Sequence, residues 1–81
     1  MLVTVRLFAR LREIADTGEL RMELAEGSTV RDAWQSLATA HQGIEPYATS
    51  VSCAVNADYS RMSAPLADGD EVAFLPPVSG G

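Results

Sequence analysis

The chain has 81 residues and a net charge of −5, and all six of its Lys and Arg residues are arginine. Its length fits one small domain, and its 47% apolar content is that of a globular protein rather than a fibrous or disordered one. The negative charge excludes a nucleic-acid protein that binds by neutralising phosphates, and no apolar run approaches the roughly 20 residues that span a bilayer. An acidic surface favours a basic partner or serves only to keep the protein dissolved, and both interpretations stay open.

The single cysteine limits both the compartment and the chemistry. Cys53 cannot form a disulfide within the chain, and it falls on the same strand face as Val51 and Val55, which predicts a buried core position. One cysteine is too few for a zinc cage or an iron–sulfur cluster, so we expect no metal site. The one histidine, His41, has no evident Ser-His-Asp or Cys-His arrangement around it and is expected to have a structural place near the end of the main helix. Charged residues interrupt any export signal near the N-terminus, and we therefore expect a cytoplasmic protein.

Residue patterns predict four elements in the first half of the chain. A first strand has aliphatic residues on one side and Phe8 on its outer face, and a short helix follows that Thr17 and Gly18 close. A strictly alternating strand comes next. After it the main helix begins near two N-cap candidates, Ser28 and Thr29, and stops at Gly43. The predicted spans are 2–9, 10–16, 19–24 and 29–42.

The second half of the chain predicts three further strands. A loop over 43–50 leads into a strand over 51–56, and a tight turn at 56–58 leads into a short edge strand over 59–62. An Asp-Gly-Asp turn precedes the last strand, 71–75.

The order of these elements predicts the fold. One mixed sheet of about five strands with one main helix across a single face is an α+β, ubiquitin-like β-grasp. Its first and last strands can pair in parallel at the sheet centre, because the intervening elements supply the long crossover that parallel pairing needs. We therefore expect a β-grasp domain over 1–75 and an extended C-terminal tail over 76–81.

The tail differs in kind from the rest of the chain. Its two prolines fix φ and prevent helix formation, and its two terminal glycines carry no side chains. Six extended residues reach roughly 20 Å, so this arm can enter a narrow tunnel in a partner and place a terminal carboxylate there. The alternative is an ordinary frayed terminus. The residues of the arm are Pro76, Pro77, Val78, Ser79, Gly80 and Gly81.

Three apolar residues predict a partner interface beside this arm. Phe8 and Leu75 fall on the outer face of neighbouring central strands, and Tyr59 on the edge strand extends the same patch. Each of them alone would be ordinary protein surface. Together they indicate a docking surface next to the arm.

The chain resembles the small, sulfur-carrier subunits of molybdopterin synthase, the MoaD family, within the MoaD/ThiS ubiquitin-like superfamily. A Gly-Gly ending alone is shared by many β-grasp modifiers, whereas the run Asp-Gly-Asp-Glu-Val-x-Phe-x-Pro-Pro-Val-Ser-Gly-Gly is specific. The resemblance spans the whole chain. The matching segments are 7–13, 54–56, 65–66, 68–74 and 76–81.

This resemblance implies a sulfur carrier whose reactive group is the C-terminal carboxylate of Gly81. An ATP-dependent adenylyltransferase similar to MoeB would form an acyl-adenylate there, and a sulfurtransferase or cysteine desulfurase would supply sulfur for a thiocarboxylate. The arm would then enter a large, MoaE-like subunit in a 2+2 heterotetramer and convert cyclic pyranopterin monophosphate to the molybdopterin dithiolene. The family implies no permanently bound cofactor and no catalytic side chain on this subunit, while Phe8, Tyr59 and Leu75 match apolar interface positions.

Three other functions remain as alternatives. A related carrier could serve thiamine synthesis, cysteine synthesis or tRNA thiolation, although the Pro-Pro-Val-Ser before Gly-Gly argues against this. A ubiquitin-like modifier would be conjugated through Gly81 to lysines of target proteins. A passive binding module would not need the tail.

Overall fold

The computed structural model describes residues 1–77, which form one mixed five-stranded sheet with helices packed on one of its faces. Predictions that concern Val78, Ser79, Gly80 and Gly81 lie outside the described residues. In chain order the elements are β1 (Leu2–Leu7), α1 (Ala9–Ala15), β2 (Glu19–Glu23), α2 (Val30–Ala40), a 3₁₀ helix (Gln42–Tyr47), β3 (Ser52–Val55), β4 (Asp58–Ser60) and β5 (Glu71–Leu75).

The strand order is β2-β1-β5-β3-β4, so the last strand of the chain lies in the middle of the sheet. β5 pairs in parallel with β1 and antiparallel with β3, and the two outer pairs are antiparallel. The parallel register places Val5 beside Val72 and Leu7 beside Phe74. This arrangement confirms the predicted β-grasp fold, with its first and last strands paired at the centre.

The core lies between the sheet and α2. Alternate residues of the two central strands point into it, and Phe74 and Val72 are fully buried there. Trp34 of α2 meets Phe74 edge to face, with 5.0 Å between the ring centroids. Burial of this apolar layer is the main stabilising contribution to the fold.

The first strand is shorter than predicted, because it ends at Leu7 and not at residue 9. Phe8 keeps an extended backbone as the N-cap of α1, and Ala9 then turns the chain with a φ of 49°. The helix closes at Asp16, whose left-handed backbone has a φ of 59°, and not at the predicted Thr17 and Gly18. Aspartate is one of the few non-glycine residues that adopt this conformation readily.

The main helix α2 is also shorter than the prediction of 29–42. Its N-terminus fits, since Thr29 and Asp32 form a capping box in which the Thr29 N–H donates to Asp32 Oδ2 over 2.8 Å. The segment predicted as a loop contains the 3₁₀ helix, which buries Ile44. A Cβ on Gly43 would lie 2.8 Å from Ile14 Cγ2, so this glycine permits a close approach to α1 and is not itself the helix stop.

The edge strand β4 ends at Ser60, two residues before the predicted end. The chain beyond it binds the start of α2 instead of the sheet: the Met62 carbonyl accepts from the Arg31 N–H over 2.8 Å, and the Ala64 carbonyl accepts from the Val30 N–H over 3.0 Å. These first-turn N–H groups have no partner within the helix, so the loop satisfies them.

Candidate functional site

The arm begins at the middle of the sheet. β5 ends at Leu75, and Pro76 and Pro77 follow without regular structure. Proline cannot donate the backbone hydrogen bond that would continue the strand pairing. The last described residues therefore leave the sheet between β1 and β3, at the end of β1 where Phe8 lies.

A hollow of about 270 Å³ lies beside this exit, on the face of the sheet opposite α2. We call it the sheet groove. The strand registers explain which residues line the groove. Ala54 pairs with both Ala73 and Tyr59. Phe8 and Leu75 each come one residue after the last β1–β5 pair, Leu7 with Phe74. Residues that pair across strands project to the same face. The groove is lined by Arg6, Phe8, Ala54, Ala57, Tyr59, Glu71, Ala73 and Leu75.

The structure brings the three predicted interface residues, Phe8, Tyr59 and Leu75, together in this groove. Tyr59 is 80% exposed and Phe8 is 39% exposed, which is unusual for aromatic side chains. Exposed apolar surface with a concave shape is typical of a protein-binding site. Their role as an interface stays a prediction, but their geometry suits it.

The sequence analysis did not single out the small residues of the groove. Ala54 and Ala73 make its floor, and the alternation of β3 and β5 could have placed them on this face. Ala57 gave no such signal, because its position follows from a two-residue turn in which Asn56 and Ala57 have φ values of 50° and 74°. Positive φ at both central residues is the type I′ geometry, which usually takes Asn-Gly.

One rim of the groove is charged. The Arg6 guanidinium Nη1 lies 3.8 Å from a Glu71 carboxylate oxygen and 3.9 Å from a Glu19 carboxylate oxygen. These side chains are well exposed, so the ion pairs stabilise the fold only slightly. They form a polar border on the apolar floor, as is usual at the edge of a protein interface.

The cysteine and the histidine, residue types that often carry catalysis, serve the fold here. Cys53 is buried, its Sγ–H donates to the Ser60 carbonyl over 3.1 Å, and burial raises the pKa of its thiol. A thiol that is protonated and covered is a poor nucleophile. His41 is the C-cap of α2.

Residues 1–77 show neither a cluster of metal ligands nor a membrane-spanning helix. No group of three or more His, Cys, Asp or Glu in this part of the chain is placed to hold a metal ion. Within the same residues, no helix is long and apolar enough to cross a membrane. Because the sheet groove adjoins the root of the arm, it is the candidate functional site among the residues that the structure describes.

Sequence comparison gives the family. The ThiS family model matches residues 5–81. The molybdopterin synthase sulfur carrier subunit of Chlamydomonas reinhardtii is 36% identical over the full length of both chains. That of Mycobacterium tuberculosis is 35% identical, over 98% of this chain and 96% of the relative. Small archaeal modifier protein 1 of Haloferax volcanii is 32% identical, over 94% and 97%.

Solved structures agree with this placement. The crystal structure of small archaeal modifier protein 1 from Haloferax volcanii superposes with a TM-score of 0.90, at 29% identity over the whole of both chains. A chain of the BexX/CysO complex from Amycolatopsis orientalis gives a TM-score of 0.72, at 29% identity over 98% of this chain and 99% of that one. The chain therefore belongs to the ThiS family, and it is a sulfur carrier of the MoaD/ThiS type.

Proposed function

We propose that this protein is the small, sulfur-donating subunit of molybdopterin synthase and that it carries sulfur on the C-terminal carboxyl group of Gly81. The observation that supports this most is the placement of the sheet groove directly beside the root of the Pro-Pro-Val-Ser-Gly-Gly arm. Full-length relatives named as molybdopterin synthase sulfur carrier subunits favour this pathway. A docking surface next to a thin, reactive arm is what a carrier needs to present its cargo inside a partner.

The first chemical step activates the carboxylate. At neutral pH a carboxylate is a poor electrophile, so a partner enzyme of the adenylyltransferase (MoeB-like) class must convert it to a better one. A Gly81 carboxylate oxygen attacks the α-phosphorus of ATP, and pyrophosphate leaves. The product is a Gly81 acyl-adenylate, a mixed anhydride that sulfur nucleophiles attack readily.

The second step exchanges oxygen for sulfur. The terminal sulfur of a persulfide on a sulfurtransferase or cysteine desulfurase attacks the acyl carbon, and AMP leaves. A thiol then cleaves the S–S bond of the resulting acyl disulfide, so that the thiol pair is oxidised to a disulfide and Gly81 keeps a thiocarboxylate. This group stores the sulfur and is itself a nucleophile.

The third step takes place in the large, MoaE-like subunit. The sheet groove docks on that subunit through Phe8, Tyr59 and Leu75, and the arm carries the thiocarboxylate to cyclic pyranopterin monophosphate. The dithiolene of molybdopterin needs two sulfur atoms, so two charged carriers are used for each product. As the family resemblance implies, we infer a 2+2 heterotetramer. We also infer that the large subunit provides the catalytic side chains, because Cys53 is buried in the core and His41 caps the end of α2.

A second candidate function is protein modification. It is favoured by the match to small archaeal modifier protein 1, in both sequence and structure. In that case the activated Gly81 would be transferred to lysine amines of other proteins. Target peptides that carry a Gly-Gly remnant on lysine would favour this function, whereas a sulfur carrier predicts none.

The experiment that tests the proposal changes the length of the arm. One variant lacks Gly81 and another has one residue added after it, and each is incubated with the activating enzyme, ATP and a sulfur source and then supplied to the large subunit with the pterin substrate. We expect both to keep the wild-type melting temperature, since the change lies beyond β5, and to lose pterin sulfuration. Wild-type sulfuration by either variant would contradict the proposal.

A further inference from the structure

Asn56, the first residue of the turn between β3 and β4, makes three hydrogen bonds to the start of β5. Its N–H donates to the Glu71 carbonyl over 2.8 Å, its Oδ1 accepts from the Glu71 N–H over 3.0 Å, and its Nδ2 donates to Asp70 Oδ1 over 3.0 Å. The other Asp70 carboxylate oxygen accepts from the Ala67 N–H over 2.8 Å. One side chain therefore ties the hairpin to the strand that leads into the arm.

The register of the sheet explains why an amide side chain is useful here. Val55 pairs with Val72, so Asn56 and Glu71 form the next antiparallel pair. A hydrogen-bonded pair of this kind exchanges two backbone bonds. Asn56 makes one with its backbone and the other with its side chain, because its backbone already bends into the turn with a φ of 50°. The side chain thus extends the ladder by one pair beyond the point at which the backbone leaves it.

This connection joins the two sides of the sheet groove. Ala57 and Tyr59, on the hairpin, form one wall of the groove, and Glu71 at the start of β5 lies across the Ala54–Ala73 floor from them. The edge strand β4 is only three residues long and pairs with β3 alone, so the sheet itself holds this wall weakly. Asn56 is the residue that fixes the turn directly to β5.

We propose that Asn56 is a positioning residue for docking, which holds the Ala57–Tyr59 wall at the spacing from β5 that the large subunit recognises. This inference rests on the proposed function, since the large subunit is the partner that the groove receives. It predicts that a change at position 56 weakens docking by more than its effect on folding explains.

The test uses Asn56→Asp, which nearly preserves shape and tolerates positive φ. The aspartate keeps an acceptor for the Glu71 N–H, but it replaces the Nδ2 donor with a second carboxylate oxygen beside Asp70. Near neutral pH the two carboxylates repel each other, and we expect the Kd for purified large subunit to rise about tenfold. The other charged groups around position 56 are Glu71 at the start of β5, Asp58 at the start of β4, and Arg6 beyond Glu71.

Two further measurements separate positioning from general damage. Lowering the pH to about 5 protonates part of the carboxylate pair and restores a hydrogen bond, so the defect of Asn56→Asp shrinks relative to wild type. Combining Asn56→Asp with Asp70→Asn again places one amide beside one carboxylate, now with the carboxylate at position 56 and the amide at position 70. This double variant should recover the affinity to within about threefold of wild type.

The positioning role of Asn56 can be decided whether or not the wild-type protein binds the large subunit. Wild-type affinity of Asn56→Asp at neutral pH, or no recovery in a double variant that folds as stably as wild type, overturns it. If the wild-type protein itself does not bind the large subunit, the proposed function fails and amide hydrogen exchange in the free protein decides the positioning. The positioning role is supported if the amides of Tyr59 and Glu71 exchange faster in Asn56→Asp and in Asn56→Gly, and if the Asn56→Asp/Asp70→Asn variant restores the wild-type rate. Unchanged exchange in the two single variants overturns it.

Discussion

Phe74 and Leu75 are consecutive in β5, yet they lie on opposite faces of the sheet. Phe74 is fully buried against Trp34, whereas Leu75 is half-buried in the groove beside the arm. Because side chains of a strand alternate, the same register that completes the core also presents the groove. A core residue and a proposed docking residue are therefore neighbours in the sequence at the root of the arm.

This alternation predicts that truncating Phe74 acts mainly on stability and that truncating Leu75 acts mainly on binding. Phe74→Ala should reduce the free energy of unfolding by about 3–5 kcal/mol, because it empties a fully buried site. Leu75→Ala should cost about 1 kcal/mol or less and act mainly on binding to the large subunit. Urea unfolding of both variants checks this. A loss for Leu75→Ala as large as that for Phe74→Ala would place Leu75 in the core and contradict the account.

Tyr59 gives the cleanest test of the groove as an interface. Its side chain is 80% exposed, so Tyr59→Ala should change the free energy of unfolding by about 0.5 kcal/mol or less. If Tyr59 anchors the partner, its loss should weaken binding by about 10- to 100-fold.

Leu2→Ala is the matched control, since Leu2 is also an exposed apolar residue, at 46%, but lies outside the groove. Binding can be measured by calorimetry with purified large subunit. Equal effects of the two substitutions, or no effect of Tyr59→Ala, would show that the groove is not the docking surface.

The fold was predictable to the extent that it follows from local patterns. The bounds of β5 match the prediction, because apolar alternation and the preceding turn define them. The predicted end of β4 was wrong, because the chain after Ser60 leaves the sheet and the carbonyls of Met62 and Ala64 bind the start of α2. No pattern within the segment itself reports such a tertiary partner.

Gly43 is a second case in which packing decided a feature that the sequence analysis explained differently. A methyl group at this position would lie 2.8 Å from Ile14 Cγ2, which is closer than such atoms approach. Gly43→Ala should therefore destabilise the fold by about 1–3 kcal/mol.

The double variant Gly43→Ala/Ile14→Ala separates this clash from other effects of the alanine. Removing the methyl groups of Ile14 relieves the contact, so the two substitutions together should cost less than the sum of their separate effects. Thermal or urea unfolding of the three variants measures this. Strict additivity would contradict the close approach.

Asp70 predicts a pH dependence of stability. The backbone N–H of Ala67 and then the amide of Asn56 hold the pKa of this carboxyl below its ordinary value of 3.8. A folded-state pKa that is lower than the unfolded one stabilises the fold above the ordinary value, and this contribution is lost as the pH falls through the folded-state pKa.

Asp70→Asn should therefore lower stability slightly near neutral pH, and its stability should fall less steeply than that of wild type in acid. The effect is small because the carboxylate is exposed. Urea unfolding across the acidic range measures both slopes. Parallel curves for the two proteins would mean that Asp70 contributes no pH-dependent stability.

The site was predictable where it follows from strand alternation. Phe8, Tyr59 and Leu75 were identified in this way, and they do line one groove. Asn56 and Ala57 were seen only as turn residues, because their contribution to the groove depends on hydrogen bonds to a strand 15 residues later in the chain. The sequence analysis thus found the exposed side chains, and the structure added the hydrogen bonds that connect their hairpin to β5.

The central claim, that Gly81 carries sulfur, is tested most directly by an intact-mass spectrum. The protein would be incubated with its activating enzyme, ATP and a sulfur source, beside a carrier known to be charged by that enzyme and a variant that lacks Gly81. The account predicts that one oxygen of the wild-type chain is exchanged for sulfur, that fragmentation maps the exchange to Gly81, and that the shortened variant is unchanged. A charged control carrier beside an unchanged wild-type chain would contradict it.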